Sequence, residues 1–209
     1  FLAAMSKDPD VKMLTENLGQ DYRMLTNSFK RHASCRHTHA AIDAALVLRN
    51  DTKIGAGDVE AIDVDLYPAG FNLLNEVEAT SGYAARFSIP YTIAAAMVRG
   101  RVGLNEFENI DKEDIRSMMT RVRLVRNDAL GKDYPEKWPA RVIVKLKSGE
   151  SITATVEYPK GDAKNPLSLQ ELQDKFRGLT AEILTGAEQK HFIDISAELQ
   201  RHRAREIWR

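Results

Sequence analysis

Between residues 30 and 39 the chain reads Lys30-Arg31-His32-Ala33-Ser34-Cys35-Arg36-His37-Thr38-His39, with three cations, three imidazoles and one thiol in ten residues. Donors this dense, in a loop just before an expected helix N-terminus, suit the binding of carboxylates. The helix dipole and the unpaired amides of a first turn add to the attraction. Two other chemistries use the same residue types. Cys35, His37 and His39 could ligate a metal, although the i, i+2 spacing is not a usual zinc pattern and no partner pair follows elsewhere. Cys35 among cations is also a candidate nucleophile. The plain alternative is a solvated basic loop in which Cys35 and His39 fill small core spaces.

Two further segments carry candidate groups. In Ala85-Arg86-Phe87-Ser88-Ile89-Pro90-Tyr91, Arg86 or Tyr91 could face a pocket, while Phe87 and Ile89 read as core and ordinary packing is the simpler account of the whole. Pro159-Lys160-Gly161-Asp162 is a cation-bearing loop that reads first as a turn. Near the C-terminus, Arg201, Arg203, Arg205 and Arg209 read as a solvated helix end rather than an RNA contact. No pair of acidic residues has a spacing that by itself argues for general acid–base work.

The elements that must hold these groups follow from periodicity. Residues 6–18 look like a short helix capped by Ser6, with Val11, Leu14 and Leu18 on one side and Gly19 as its stop. Tyr22 to Phe29 is a weak strand candidate. Helical spacing of Ala40, Ala41, Ala44, Ala45 and Leu48 predicts a helix over 39–49. Val59 to Leu66 alternates with period two, pointing Ile62, Val64 and Leu66 inward. Residues 67–80 read as a loop or short helix around Pro68 and Gly70. A helix follows Pro90 and ends at Gly100, Asp111 is placed to cap another through Met119, and Arg121 to Val125 alternates again. The segments 140–146 and 151–158 flank Lys147-Ser148-Gly149-Glu150 as a hairpin in which Gly149 supplies a positive φ. Ser168 and Glu171 form a capping box that opens a helix to about Leu184, and Gly186 separates it from a last helix over 188–200. This order implies an α+β layer with an antiparallel sheet and flanking helices, and a boundary in the loop 159–167.

Thirty basic residues balance thirty acidic ones, which argues against nucleic-acid or membrane-surface binding driven by bulk charge. One cysteine excludes an internal disulfide framework and a self-held iron–sulfur cluster. No run approaches the roughly 20 apolar residues of a membrane helix, and the expected compartment is the cytoplasm. Phe1-Leu2-Ala3-Ala4 lacks both an initiator Met and a basic n-region, so it reads as the interior of a longer chain rather than as a signal peptide.

Three of these segments resemble a known family in order. Phe29-Lys30 … Cys35-Arg36-His37-Thr38-His39-Ala40-Ala41-Ile42-Asp43-Ala44 is similar to the MmgE/PrpD motif F-K-x-Y-x-x-C-x-x-x-H-x-x-I-D-A. Ala85-Arg86-Phe87-Ser88-Ile89-Pro90-Tyr91-Thr92-Ile93-Ala94 resembles A-x-F-S-x-P-Y-x-x-A. Pro159-Lys160-Gly161-Asp162 … Asn165-Pro166-Leu167-Ser168 with Lys175-Phe176 resembles P-x-G … N-P-L-S … K-F. The family includes 2-methylcitrate dehydratase, cis-aconitate decarboxylase and iminodisuccinate epimerase, and pairs a large helical domain with an inserted α+β lid.

The resemblance implies that residues 1–19 end a helical domain, 20–166 form the lid, and 167–209 return to the helical domain. It implies a cofactor-independent, metal-free enzyme acting on a small di- or tricarboxylic acid, a homodimer in its full-length form. A hydro-lyase of the 2-methylcitrate dehydratase kind, as in propionate metabolism, comes first, with an isomerase or epimerase as alternative. It implies Lys30 and His39 as catalytic residues and Cys35, Arg36 and Arg86 as substrate-binding ones. His32 stands where the family usually has an aromatic, and Cys35 is no acid–base group; both weigh against decarboxylation and leave the exact reaction open. By itself the chain could equally be a non-catalytic fragment or interaction domain.

Overall fold

A computed structural model describes residues 2–203. Phe1, and Arg205 and Arg209 of the basic tail, lie outside the described residues. Eight helices, α1 (Leu2–Met5), α2 (His39–Thr52), α3 (Pro68–Leu74), α4 (Gly82–Ala85), α5 (Ile89–Arg99), α6 (Glu113–Met119), α7 (Leu169–Thr180) and α8 (Gly186–Ala197), accompany one sheet. Its strands are β1 (Val59–Leu66), β2 (Val122–Arg126), β3 (Ala140–Leu146) and β4 (Ser151–Val156). No helix among the described residues is long and apolar enough to cross a membrane.

The fold is α+β, and its sheet runs β2-β1-β3-β4. β3–β4 is antiparallel as the hairpin pattern predicts and β1–β3 is antiparallel too, but β1–β2 is parallel. The sheet is therefore mixed. The reason is the long connection from Tyr67 to Arg121, which carries α3 to α6 across one face and returns the chain in its original direction.

That face is apolar. Ile62, Val64 and Leu66 of β1 and Ala140, Val142 and Val144 of β3 are completely buried beneath α2 and α5, which also pack on each other. The opposite face carries charge across the strands: Lys145 reaches Glu60 at 2.7 Å, Arg123 forks onto Asp63 with two 2.8 Å bonds, and Arg141 holds Asp65. Asp65 is buried on this outer face because Arg141 and Asn127 both cover it.

Two helix ends follow their sequence signals. Gly100 closes α5 in the left-handed conformation, and the Ser168–Glu171 box opens α7. α7 ends at Thr180 rather than near Leu184. The residue capping α6 is Lys112, and Asp111 instead pairs with Arg116 at 3.0 Å.

The N-terminal expectations differ most. Residues 6–18 form one 3₁₀ turn, Val11–Leu14, and the suggested strand at 22–29 is a second, Arg23–Thr26. Val11, Leu14 and Leu18 are 64%, 60% and 78% exposed. An amphipathic stripe with no surface to pack on supplies little of the tertiary contact that stabilises short helices.

Candidate functional site

The three sequence segments meet in space. The irregular run from Phe29 to Cys35 is pinned by backbone hydrogen bonds: the Phe29 N–H donates to the Gly161 carbonyl (2.8 Å), Ala33 to Val102 (3.2 Å) and Cys35 to Arg86 (2.9 Å). Gly161 sits at φ +90°, and a Cβ there would lie 2.0 Å from the Phe29 oxygen, so only glycine permits this approach. Lys175 of α7 donates to the Lys30 carbonyl. Asp43, on the first turns of α2, ties the bundle together. One carboxylate oxygen meets His32 Nε2 at 2.9 Å, and the other accepts the Lys160 N–H at 2.6 Å. His32 and Asp43 are both buried.

Within this frame Lys30 and His39 share one acceptor. Lys30 Nζ donates to the Ser34 carbonyl at 3.2 Å, and His39 Nε2 lies 3.3 Å from the same oxygen. His39 is completely buried. Its pKa is lowered to about 3, chiefly by burial and then by His32, Arg36 and Lys30, with the Ser34 bond opposing. The ring is thus neutral at ordinary pH. Because the Ser34 oxygen can only accept, His39 carries its proton on Nε2 and leaves buried Nδ1 without a partner among the described residues. A neutral, enclosed imidazole of this kind holds a carbonyl in place. Lys30, on an exposed residue, is the group of the two that can reach a solute.

Among the described residues, the two arginines each retain an unsatisfied donor. Arg36 Nη2 pairs with Asp162 at 2.9 Å with both side chains largely covered, while Nη1 is buried without a partner. Arg86 Nε is likewise buried and unpaired, its guanidinium 5.5 Å from the centroid of the Phe107 ring. Buried unpaired donors are uncommon, and at a cationic group an anion satisfies them best. Tyr91, by contrast, is core: its ring packs on Phe107 and its hydroxyl donates to the Glu106 carbonyl. The start of α2 is covered too, with Thr38 to Ala41 all buried, so side chains rather than first-turn amides are the donors within reach. Among the described residues no three of His, Cys, Asp and Glu are grouped to hold a metal.

Sequence reasoning passed over an aromatic cluster on the far side of Cys35. Completely buried Tyr67, at the end of β1, meets His37 Nδ1 through its hydroxyl at 2.5 Å. Trp138 lies 4.5 Å from the His37 ring, tilted by 32°, and Tyr134 stacks on Tyr67 at 4.9 Å. Burial raises the Tyr67 pKa, with Tyr134 and Cys35 adding to it, and burial lowers that of His37. Tyr67 had no periodic or motif signal, since it stands in the turn between a strand and Pro68. Gly70 is a local hint: a Cβ there would come within 3.2 Å of the Tyr67 ring and 3.5 Å of His37 Nδ1.

The mixed α+β layer brings Lys30, Arg36 and the buried imidazoles His32 and His39 together at the start of α2, with Arg86 joined to them through its backbone. Residues 32–201 match the MmgE/PrpD C-terminal domain, and the chain belongs to the MmgE/PrpD family. It is similar to cis-aconitate decarboxylase of Aspergillus terreus, 21% identical over 215 residues that cover 96% of this chain and 44% of the relative. It is also similar to the cis-aconitate decarboxylase-like protein oryM of Aspergillus oryzae, 24% identical over 185 residues covering 82% of this chain and 37% of the relative. The chain thus spans less than half the length of the curated relatives it matches.

Proposed function

We propose that this chain is the lid-side part of a cofactor-independent MmgE/PrpD lyase acting on a small di- or tricarboxylic acid, first of all a hydro-lyase of the 2-methylcitrate dehydratase kind, with an isomerase or epimerase as alternative. The observation that supports it most is the shared Ser34 carbonyl. It holds Lys30 Nζ beside neutral His39, close in sequence to Arg36 with its unpaired Nη1.

In dehydration a proton leaves the carbon next to a carboxylate, hydroxide leaves the neighbouring carbon as water after taking up a proton, and a carbon–carbon double bond forms. Negative charge builds on the carboxylate as the first bond breaks. A cation positioned there stabilises that charge and can relay the proton. Arg36 and Arg86 would hold the remaining carboxylates, and Cys35 would line the site.

Decarboxylation is the second reading, favoured by the names of the relatives and weighed against by His32 and Cys35. Incubating the whole protein with 2-methylcitrate and with cis-aconitate separates them: the hydro-lyase interconverts the hydroxy acid and the enoic acid, whereas a decarboxylase releases carbon dioxide. Lys30→Ala should lower turnover by about 10²–10⁴-fold while leaving the melting temperature unchanged. Unchanged turnover would sink the assignment of Lys30. The isolated 209-residue chain should be inactive on these acids, and robust turnover by it would refute the reading as one part of a larger site.

A further inference from the structure

We propose that His37 is a hydrogen-bond donor to the bound carboxylic acid, fixed as its Nε2–H tautomer by Tyr67 and held in plane by Trp138. This rests on the carboxylate-site reading above and adds to it a residue pair outside the lysine–arginine set.

The argument starts from Tyr67. Its ring is completely buried, and the hydroxyl hydrogen would have no acceptor among the described residues other than His37 Nδ1, 2.5 Å away. A buried hydroxyl that fails to donate pays a desolvation penalty with no return. Tyr67 therefore donates, and Nδ1 accepts with its lone pair. Burial disfavours the charged form of His37 and raises the Tyr67 pKa, so neither a proton on both ring nitrogens nor a phenolate competes. The remaining proton sits on Nε2, which makes no hydrogen bond among the described residues, in a side chain that is only partly buried.

The ring is also held in place. Trp138 covers one side of it, and Trp138 is itself tethered by its indole N–H to the Pro135 carbonyl at 2.9 Å. Gly70 leaves just enough space beside Nδ1 for the pair. His37 directly follows Arg36 in the chain, so the dyad adjoins the cationic stretch. A neutral N–H of fixed direction beside cations suits one oxygen of a carboxylate that the cations already attract.

The test uses NMR of isotope-labelled histidine nitrogens in the 209-residue chain, with tricarballylate as probe. At neutral pH His37 should show an unprotonated Nδ1 and a protonated Nε2, and Tyr67→Phe should abolish that single tautomer while keeping the stack on Tyr134. On adding tricarballylate both the Lys30 and the His37 side-chain signals should move. His37→Phe should weaken binding about tenfold, the loss of one hydrogen bond to a charged group, and His37→Gln, whose amide nitrogen stands where Nε2 was, should restore most of it. A proton on Nδ1 would overturn the inference. So would a Lys30 response without a His37 response, which leaves the carboxylate reading standing. Silence at both would overturn the two together.

Discussion

Replacing Gly161 by alanine tests the whole arrangement through one methyl group. The Cβ would stand 2.0 Å from the Phe29 oxygen and 3.1 Å from its carbon, in a residue at φ +90°. Ordinary carbon contacts begin near about 3.5 Å, so the Phe29 backbone must retreat by more than about 1 Å. That breaks its 2.8 Å bond to the Gly161 carbonyl, a loss of about 1 kcal/mol. The left-handed conformation costs a side chain roughly 1–2 kcal/mol more, and it persists even if Phe29 swings away, because Gly161 still donates to Asn165 at 2.8 Å. The expected destabilisation is therefore about 1 kcal/mol at least and about 3 kcal/mol at most. For a chain of this size that lowers the melting temperature by about 2–12 °C. Hydrogen exchange supplies the local signature: the Phe29 amide should lose its protection while Val142 and Val144 in the sheet keep theirs. An unchanged melting temperature with a protected Phe29 amide would refute the claim that this contact joins the loop to the Lys30 segment.

Other perturbations follow from the same geometry. His39, with a folded pKa of about 3 against an ordinary 6.5, binds its proton more readily unfolded. Stability is then whole above pH 6.5 and is lost as pH falls toward 3, by up to about 1.4 kcal/mol per pH unit. His39→Gln should flatten the stability profile between pH 6 and 4 relative to wild type, in denaturant melts, and parallel profiles would refute it. Asp43→Ala strands His32 Nε2 and the Lys160 N–H in a buried place, and a loss of about 2–4 kcal/mol is expected by urea unfolding. Ser168→Ala removes the cap that accepts the Glu171 N–H at 3.2 Å. It should cost about 1 kcal/mol, confined by hydrogen exchange to the first turn of α7.

How much of this was legible in sequence depends on the range of the contact. Period-two alternation placed β1 and the hairpin because the apolar face is continuous under α2 and α5, and caps at Ser168 and Gly100 are local signals that need no tertiary partner. The parallel β1–β2 pair was not legible, since its direction is set by four helices intervening between Leu66 and Val122 rather than by either strand. The stretch Lys30 to His39 stood out by composition and by its family motif, while its backbone contacts with the Gly161 loop and Arg86 are long-range and show only in the fold. Composition could not say that Lys30 and His39 converge on one carbonyl, or that His39 is enclosed while Lys30 is not. Tyr67 was silent because its partner lies 30 residues earlier in the chain. The helix suggested at 6–18 satisfied its periodicity and had nothing to pack against.

The charged outer face of the sheet bears on how the strands choose their alignment. On the inner face, Ile62, Val64 and Leu66 meet Val144, Val142 and Ala140, and sliding β3 by two residues so that Arg141 faces Asp63 would still set Ile62 on Val142 and Val64 on Ala140, with apolar Trp138 opposite Leu66. A slip of one residue is forbidden by the pleat, but a slip of two is nearly invisible to the core. The outer face can see it. Moving β3 two places would carry Arg141 from Asp65 to Asp63, which Arg123 already occupies, and would leave Asp65 bare beside Asn127. The ionic ladder thus works as a vernier for the hydrophobic one, and high salt, which blunts it, should let misaligned β1–β3 pairings live longer during refolding before the correct pairing wins.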